Sequence, residues 1–176
     1  MNPTHPPTPV WLADIGNRLS RGSIAGLSAG LLFLVANMAW ATRGGKPAVG
    51  PLVAFSTIFN LAAKPIATPE NVVVGLIVHL TLSMLFGLAF ALVLPALRDA
   101  RSLTLGALGF GVGLYLLNIQ VLGRTAFPAF RQADQLFELI VHAAFGLLLA
   151  PFFVGMLHRR AAPSPDPNPL ALTPVP

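Results

Sequence analysis

Apolar stretches of membrane length with few or no charged residues occur four times along this chain, separated by short segments that contain proline and charged residues. A helix needs about 20 consecutive apolar residues to cross the hydrocarbon core of a bilayer. The pattern therefore predicts an all-α integral membrane protein with four transmembrane helices in an up-down bundle. The predicted spans are residues 22–40, 71–94, 103–122 and 133–157.

The segments outside the spans predict three further regions. Residues 1–21 form a Pro-rich N-terminus, in which the apolar positions after Pro9 predict a short interfacial helix. Residues 52–63 are mostly apolar but too short to span, which predicts an interfacial or re-entrant helix in the first long loop. Residues 158–176 alternate proline with small residues and predict a disordered tail. The four-helix transmembrane domain is then residues 22–157.

The composition favours lipid as the surrounding solvent. Of the 176 residues, 55% are hydrophobic and 10% are charged, whereas soluble domains carry about 25% charged residues. The chain has no cysteine, which excludes disulfides and thiolate sites. The net charge of +5 comes from Lys and Arg at the ends of apolar runs, and no basic stripe with interleaved aromatic residues predicts nucleic-acid binding. The expected partners are the lipid bilayer and either a larger membrane complex or further copies of this chain.

The distribution of positive charge predicts the orientation. Six basic residues lie on the side of the termini: Arg18, Arg21, Arg98, Arg101, Arg159 and Arg160. The other five are spread over the two longer loops. Because cytoplasmic loops carry an excess of Lys and Arg, both termini are expected in the cytoplasm of a bacterial inner membrane. A cleaved signal peptide is an alternative for the first span, since Ala39-Trp40-Ala41 resembles a cleavage site.

The second and fourth spans contain nearly the same segment, which predicts a tandem two-helix repeat. A Leu-Ile-Val-His run ends at His79 in one span and at His142 in the other. The preceding spans carry one asparagine each, Asn37 and Asn118, and a glycine lies seven residues before each asparagine. The repeat argues against cleavage of a signal peptide, because cleavage would remove half of the first unit.

Polar residues of the four spans are predicted to meet in one layer, in the half of the bundle away from the termini. Each would be costly in contact with acyl chains, and polar groups inside a membrane commonly mark functional sites. The predicted polar or ligand-binding layer comprises Asn37, His79, Ser83, Asn118, Glu138 and His142.

Four interpretations of this layer stay open. The side chains form hydrogen bonds between helices, or they line a solvated cavity for protons or a small polar ligand, with Glu138 and His142 as the titrating pair. Alternatively, His79 and His142 are the axial ligands of haem b, or both histidines bind a metal ion together with Glu138.

No catalytic motif and no soluble domain are present, so the sequence predicts no enzyme and no cofactor. The expected function is that of a small polytopic membrane protein, either an accessory subunit of a membrane complex or a stress-linked membrane factor. The alternatives are an electron-transfer subunit that holds haem b and a small transporter of protons or solutes.

Glycines spaced by four predict where helices approach each other closely. One set lies in the first span and one in the third: Gly22, Gly26, Gly30, Gly109 and Gly113. The two spans are therefore expected to touch near the cytoplasmic end.

Several short motifs resemble those of the YagU-like bacterial inner-membrane proteins, over roughly residues 22–157. They are His79-Leu80 with Ser83, the turn 95–101, the small-residue segment 106–113, and Glu138-x3-His142 followed by an aromatic residue. The resemblance implies a small multi-pass inner-membrane protein, and an acid-stress role is associated with that family. The first extramembrane loop is shorter in this chain.

Overall fold

The computed structural model of the protein describes three stretches of the chain, residues 10–60, 66–131 and 133–161. Within them the secondary structure is entirely helical. The α-helices are α1 (Val10–Arg43), α2 (Gly50–Asn60), α3 (Pro69–Val93), α4 (Ala100–Tyr115), α5 (Gly123–Thr125), α6 (Gln135–Leu149) and α7 (Pro151–Ala161). The predicted N-terminal residues 1–9, the end of the loop helix at 61–63 and the tail from 162 onward lie outside the described residues.

Four segments of the described chain are long and apolar enough to cross a membrane: Asp14–Arg43, Pro69–Ala96, Ala100–Thr125 and Gln135–Leu157. Large apolar side chains such as Leu31, Ile77, Leu105 and Ile140 are exposed on their outer surfaces. Such a surface is stable in lipid rather than in water. The prediction of an all-α protein is confirmed for the described residues, and four of its helical segments have the length and composition of the spans of a multi-pass membrane protein.

Helix α1 is continuous, although the sequence predicted a separate interfacial helix before the first span. A contact between residues four apart crosses the expected break, because the Ser23 hydroxyl donates to the carbonyl oxygen of Leu19 at 3.0 Å. No proline interrupts the segment, so nothing ends the helix before the hydrocarbon core.

The third and fourth spans contain interruptions that the sequence analysis did not predict. Helix α4 continues into a π-helix, Leu116–Leu122, before the short α5. The fourth span divides at Pro151, which has no amide hydrogen to donate, so α6 ends at Leu149.

The face of α1 that carries its glycines packs on α3, which is the second span. A Cβ atom added at Gly26 would overlap the carbonyl oxygen of Ser83, and one added at Gly22 would meet Gly87 and Ala91. The expectation that the glycines of the first span contact the third span is therefore wrong. Glycine spacing indicates a close approach but does not identify the neighbouring helix.

The third span packs on the fourth through other glycines than those predicted. A Cβ at Gly111 would overlap the carbonyl oxygen of His142, and one at Gly146 would overlap that of Ala107. At Gly109 and Gly113 a Cβ would meet nothing within 4 Å, so these two glycines make no close approach within the described chain. Helix packing in the third span therefore depends on Gly111.

The bundle is densely packed at the end that contains the turn between the second and third spans. The largest fully buried apolar side chains lie there: Phe90, Leu94, Leu103, Leu149 and Phe153. At this end Nη1 of Arg21 donates to the carbonyl oxygen of Phe152 at 3.0 Å, which joins the start of the first span to the end of the fourth.

Candidate functional site: a cavity among the helices

The polar residues singled out from the sequence line one cavity, at the end of the bundle away from the packed core. Its volume is about 810 Å³. Helices α1, α2, α3 and α6 and the π-helix contribute to its wall. The predicted members that line it are Asn37, His79, Ser83, Asn118, Glu138 and His142.

His79 connects α3 to α1 at the inner end of the cavity. Its side chain is buried, and Nε2 lies 2.8 Å from the carbonyl oxygen of Gly30. A carbonyl oxygen only accepts hydrogen bonds, so Nε2 carries the proton. Gly30 permits this approach because a Cβ at that position would overlap the Ser83 hydroxyl, which itself donates to the carbonyl oxygen of His79 at 2.8 Å.

His142 is held within its own helix rather than between helices. Nδ1 lies 2.8 Å from the carbonyl oxygen of Glu138 and 3.5 Å from Oε2 of the same residue. The carbonyl partner again places the proton on the bonded nitrogen. Both side chains are buried, so they form a polar pair on the inner face of α6.

Each histidine has a second ring nitrogen that is not hydrogen-bonded to any described residue. In the described part of the chain, no enclosed side-chain nitrogen or oxygen lacks a hydrogen-bond partner. Nδ1 of His79 and Nε2 of His142 make no hydrogen bond to another described residue, and both residues line the cavity. The neutral imidazoles therefore present one acceptor nitrogen each to whatever occupies the cavity.

An aromatic ring packs against both imidazoles. The ring centroid of Phe33 lies 5.9 Å from that of His79 and 4.9 Å from that of His142. Axial ligation of haem uses one ring nitrogen of each histidine, and Nε2 of His79 and Nδ1 of His142 are already bonded to carbonyl oxygens. Only Nδ1 of His79 and Nε2 of His142 would be left as ligands in this arrangement.

Helix α2 forms one wall of the cavity, a role that the sequence analysis did not predict. Its Phe55 ring lies 4.7 Å from the His79 ring. Gly75 allows α2 to lie this close, because a Cβ there would overlap the carbonyl oxygen of Leu52. The signal in the sequence is that Gly75 occupies the position in its span that Glu138 occupies in the fourth.

The two asparagines differ in their hydrogen bonds. Nδ2 of Asn37 donates to the carbonyl oxygen of Phe33 at 3.1 Å within α1. The side chain of Asn118 has no hydrogen-bond partner among the described residues, and Asn118 lies in the π-helix, where its carbonyl accepts from the amide of Gly123. Asn118 therefore keeps its whole side-chain amide for a ligand, whereas Asn37 keeps only its Oδ1 and one hydrogen of Nδ2.

A further polar cluster joins the π-helix to the start of α6. The Tyr115 hydroxyl donates to Oε1 of Gln135 at 3.1 Å, and the Gln120 amide donates to both Tyr115 and Gln135. The Tyr115 ring also contacts His142, with centroids 6.1 Å apart. The cluster fixes the position of the π-helix against the helix that carries Glu138 and His142.

The mouth of the cavity has the composition of a membrane interface. The Trp40 ring stacks on Phe137 with centroids 4.5 Å apart. Lys46 and Asp134 lie at the same end and line the cavity, and Asp134 also caps α6 by accepting from the Phe137 amide. Tryptophan and charged side chains of this kind are enriched where a membrane protein meets water.

No group of three or more His, Cys, Asp or Glu in a metal-binding arrangement occurs among the residues described. The predicted set of His79, Glu138 and His142 does not meet that condition. Glu138 and His142 are adjacent on α6, but His79 turns one nitrogen to Gly30.

Comparison of this chain with protein-family models found no match, and the comparisons with curated proteins and with solved structures found no significant match. The resemblance to the YagU-like proteins therefore stays a prediction from the motifs.

Proposed function

We propose that this chain is a non-enzymatic protein of a bacterial inner membrane that binds a small amphipathic molecule between its helices, either as a carrier or as an accessory subunit. The observation that carries the proposal is the cavity of about 810 Å³ with all six predicted polar residues in its wall. Small-molecule sites in proteins have volumes of about 300–1,000 Å³, with mostly apolar walls and a few polar groups. The cavity has both properties.

The up-down arrangement belongs to the proposal and is supported at both ends of the bundle. Arg21 near the start of the first span bonds to Phe152 near the end of the fourth. Trp40 near the end of the first span stacks on Phe137 near the start of the fourth. Antiparallel first and fourth spans account for both contacts.

A tandem origin of the two helix pairs is supported by equivalent contacts. Gly30 faces Ser83, which is four residues after His79, and Gly111 faces Gly146, which is four residues after His142. In each pair a glycine seven residues before the asparagine meets the position one turn beyond the histidine. In this proposal the first helix pair has Gly75, against which α2 packs, at the position where the second pair has Glu138.

Surface labelling tests the proposed orientation. The chain has no cysteine, so single cysteines can be introduced without background. With both termini in the cytoplasm, a membrane-impermeant maleimide added outside intact spheroplasts is expected to label the Arg124→Cys variant but not Arg98→Cys. Both arginines are exposed. Labelling of both variants from one side would contradict the up-down topology, and labelling of Arg98→Cys alone would reverse the orientation.

Photolabelling with a long-chain alkyl diazirine tests ligand binding in the cavity. The probe is expected to label lining residues such as Phe130 in a saturable manner. Ala54 lines the cavity, so Ala54→Phe should lower this labelling about fivefold or more, which corresponds to roughly 1 kcal/mol of lost binding free energy. The matched control is Ala89→Phe, at an exposed position of α3 outside the cavity.

The two variants separate cavity binding from general contact with lipid. Peptide mass spectrometry locates the labelled residues in each protein. Labelling that is confined to lipid-facing residues, or equal labelling of the lining in both variants, would refute a ligand site in the cavity.

A further inference from the structure

We propose that the cavity selects an amphiphile whose inner polar group donates hydrogen bonds, a hydroxyl-bearing head with an apolar chain, and that His79 and His142 accept them. This inference rests on the proposed function and names the class of ligand. It follows from the proton positions that the protein itself imposes on the two imidazoles.

The carbonyl partners of the histidines fix both tautomers. Gly30 holds the proton of His79 on Nε2, and the carbonyl of Glu138 holds that of His142 on Nδ1. The opposite nitrogens are then acceptors, and both histidines line the cavity. The inner part of the cavity thus offers two imidazole lone pairs in addition to the carboxyl group of Glu138.

The distribution of charge disfavours an anionic head at this depth. Among the described lining residues, Lys46 is the only lysine or arginine, and it lies in the loop after α1 rather than beside the histidines. Neither Glu138 nor a neutral His142 supplies a positive charge that would pair with an anion placed beside them. An anionic group buried without a partner is costly, so a negatively charged head fits only at the mouth.

A head that only accepts hydrogen bonds is also a poor match. A ketone or ether oxygen would leave the nitrogens of His79 and His142 without a donor, and an unpaired buried polar group costs free energy. A hydroxyl group supplies one donor, which satisfies one of the two nitrogens, and a head with two hydroxyl groups satisfies both. The side-chain amide of Asn118, which has no other partner among the described residues, is a further donor in the cavity wall.

Aromatic side chains around the histidines make a ring-bearing probe suitable for the test. Phe33 and Phe55 pack on the imidazoles, and Phe86, Phe130 and Phe145 extend this surface along the cavity wall. Flat rings stack favourably on such surfaces. An alkylphenol therefore presents its hydroxyl to the histidines while its chain points to the apolar wall.

Competition between two matched probes tests the proposal. Purified full-length protein in lipid nanodiscs is photolabelled with the alkyl diazirine in the presence of 4-octylphenol or of its methyl ether, 4-octylanisole. Each competitor is expressed as a mole fraction in the lipid, so that different partitioning does not enter the comparison. The phenol is expected to compete at about tenfold lower mole fraction, because only the phenol donates a hydrogen bond.

Histidine variants assign that preference to the proposed acceptors. His79→Leu and His142→Leu are each expected to reduce the advantage of the phenol, whereas competition by the anisole in the same variants reports whether the cavity persists. His79→Gln retains a donor for Gly30 and an acceptor oxygen, so it should preserve much of the preference.

The possible results distinguish the proposed class of ligand from the proposed binding function. Cavity labelling that the phenol and the anisole displace equally would overturn the hydrogen-bond-donating ligand and leave the binding function intact. A preference for the phenol that survives when both histidines are replaced together, His79→Leu with His142→Leu, would also overturn it. Absence of any cavity labelling would instead remove the proposed function itself.

Discussion

Gly26→Val is expected to destabilise the bundle by about 3 kcal/mol, near the upper end of what overpacking costs in a close-packed interior. The Cβ of the new residue would overlap the carbonyl oxygen of Ser83 and approach the backbone of Gly87. These atoms belong to a helix backbone and cannot turn away as a flexible side chain can. The α1–α3 pair must therefore separate, which also weakens the bond between His79 and Gly30.

The measurement is thermal unfolding of the detergent-purified protein. The fraction of protein that remains monodisperse after heating is determined at each temperature. Gly109→Val is the matched control, because Gly109 is also a glycine within a transmembrane helix but a Cβ there meets nothing within 4 Å. The Gly109 variant should melt close to the unsubstituted protein. Similar losses at both positions would mean that the bulk of a β-branched side chain in a helix, not packing on α3, determines the effect.

The four spans were predictable because a bilayer imposes a length and excludes charge over that length. The neighbours of each helix were not predictable in the same way. On a helix of a soluble protein, polar residues mark the outer face, but in lipid both faces are apolar. Gly109 and Gly111 are two residues apart in one span, yet Gly109 is exposed and Gly111 packs on α6. Sequence spacing alone does not separate them.

The depth of the polar residues was predictable from the same length constraint. Position along a span gives distance from the membrane surface, so His79 and His142 could be placed in one layer before their neighbours were known. Their bonds were not predictable, because His79 pairs across helices with Gly30 while His142 pairs with Glu138 on its own helix. Equal positions in similar segments thus acquire different roles from the surrounding helices.

The contribution of α2 to the site could not be read from the pattern of residues 52–63. Too short to span, the segment is compatible with any position at the interface. Its location is decided by Gly75 in the next helix, where the absence of a side chain admits the backbone of Leu52. The residue that determines the position of α2 therefore lies in α3, outside the segment 52–63 itself.

Gly75→Val is expected to abolish most of the ligand binding while the bundle remains folded. Its Cβ would overlap the carbonyl of Leu52, so α2 must move away from α3 and take Phe55 from the His79 ring. Helix α2 forms a wall of the cavity but contributes nothing to the packed core around Phe90 and Phe153. We expect cavity labelling by the alkyl diazirine to fall about tenfold, with a smaller loss of thermal stability than in Gly26→Val.

Gly113→Val is the control for this prediction, since a Cβ at Gly113 meets nothing within 4 Å and Gly113 does not line the cavity. The Gly113→Val protein should show the cavity labelling and the thermal stability of the unsubstituted protein. The comparison shows whether α2 only lines the cavity or is also required for the stability of the bundle. If Gly75→Val unfolds the protein as readily as Gly26→Val, α2 is required for the bundle itself. If Gly75→Val labels normally, the cavity does not depend on α2, and the ligand site must be sought among the four spans alone.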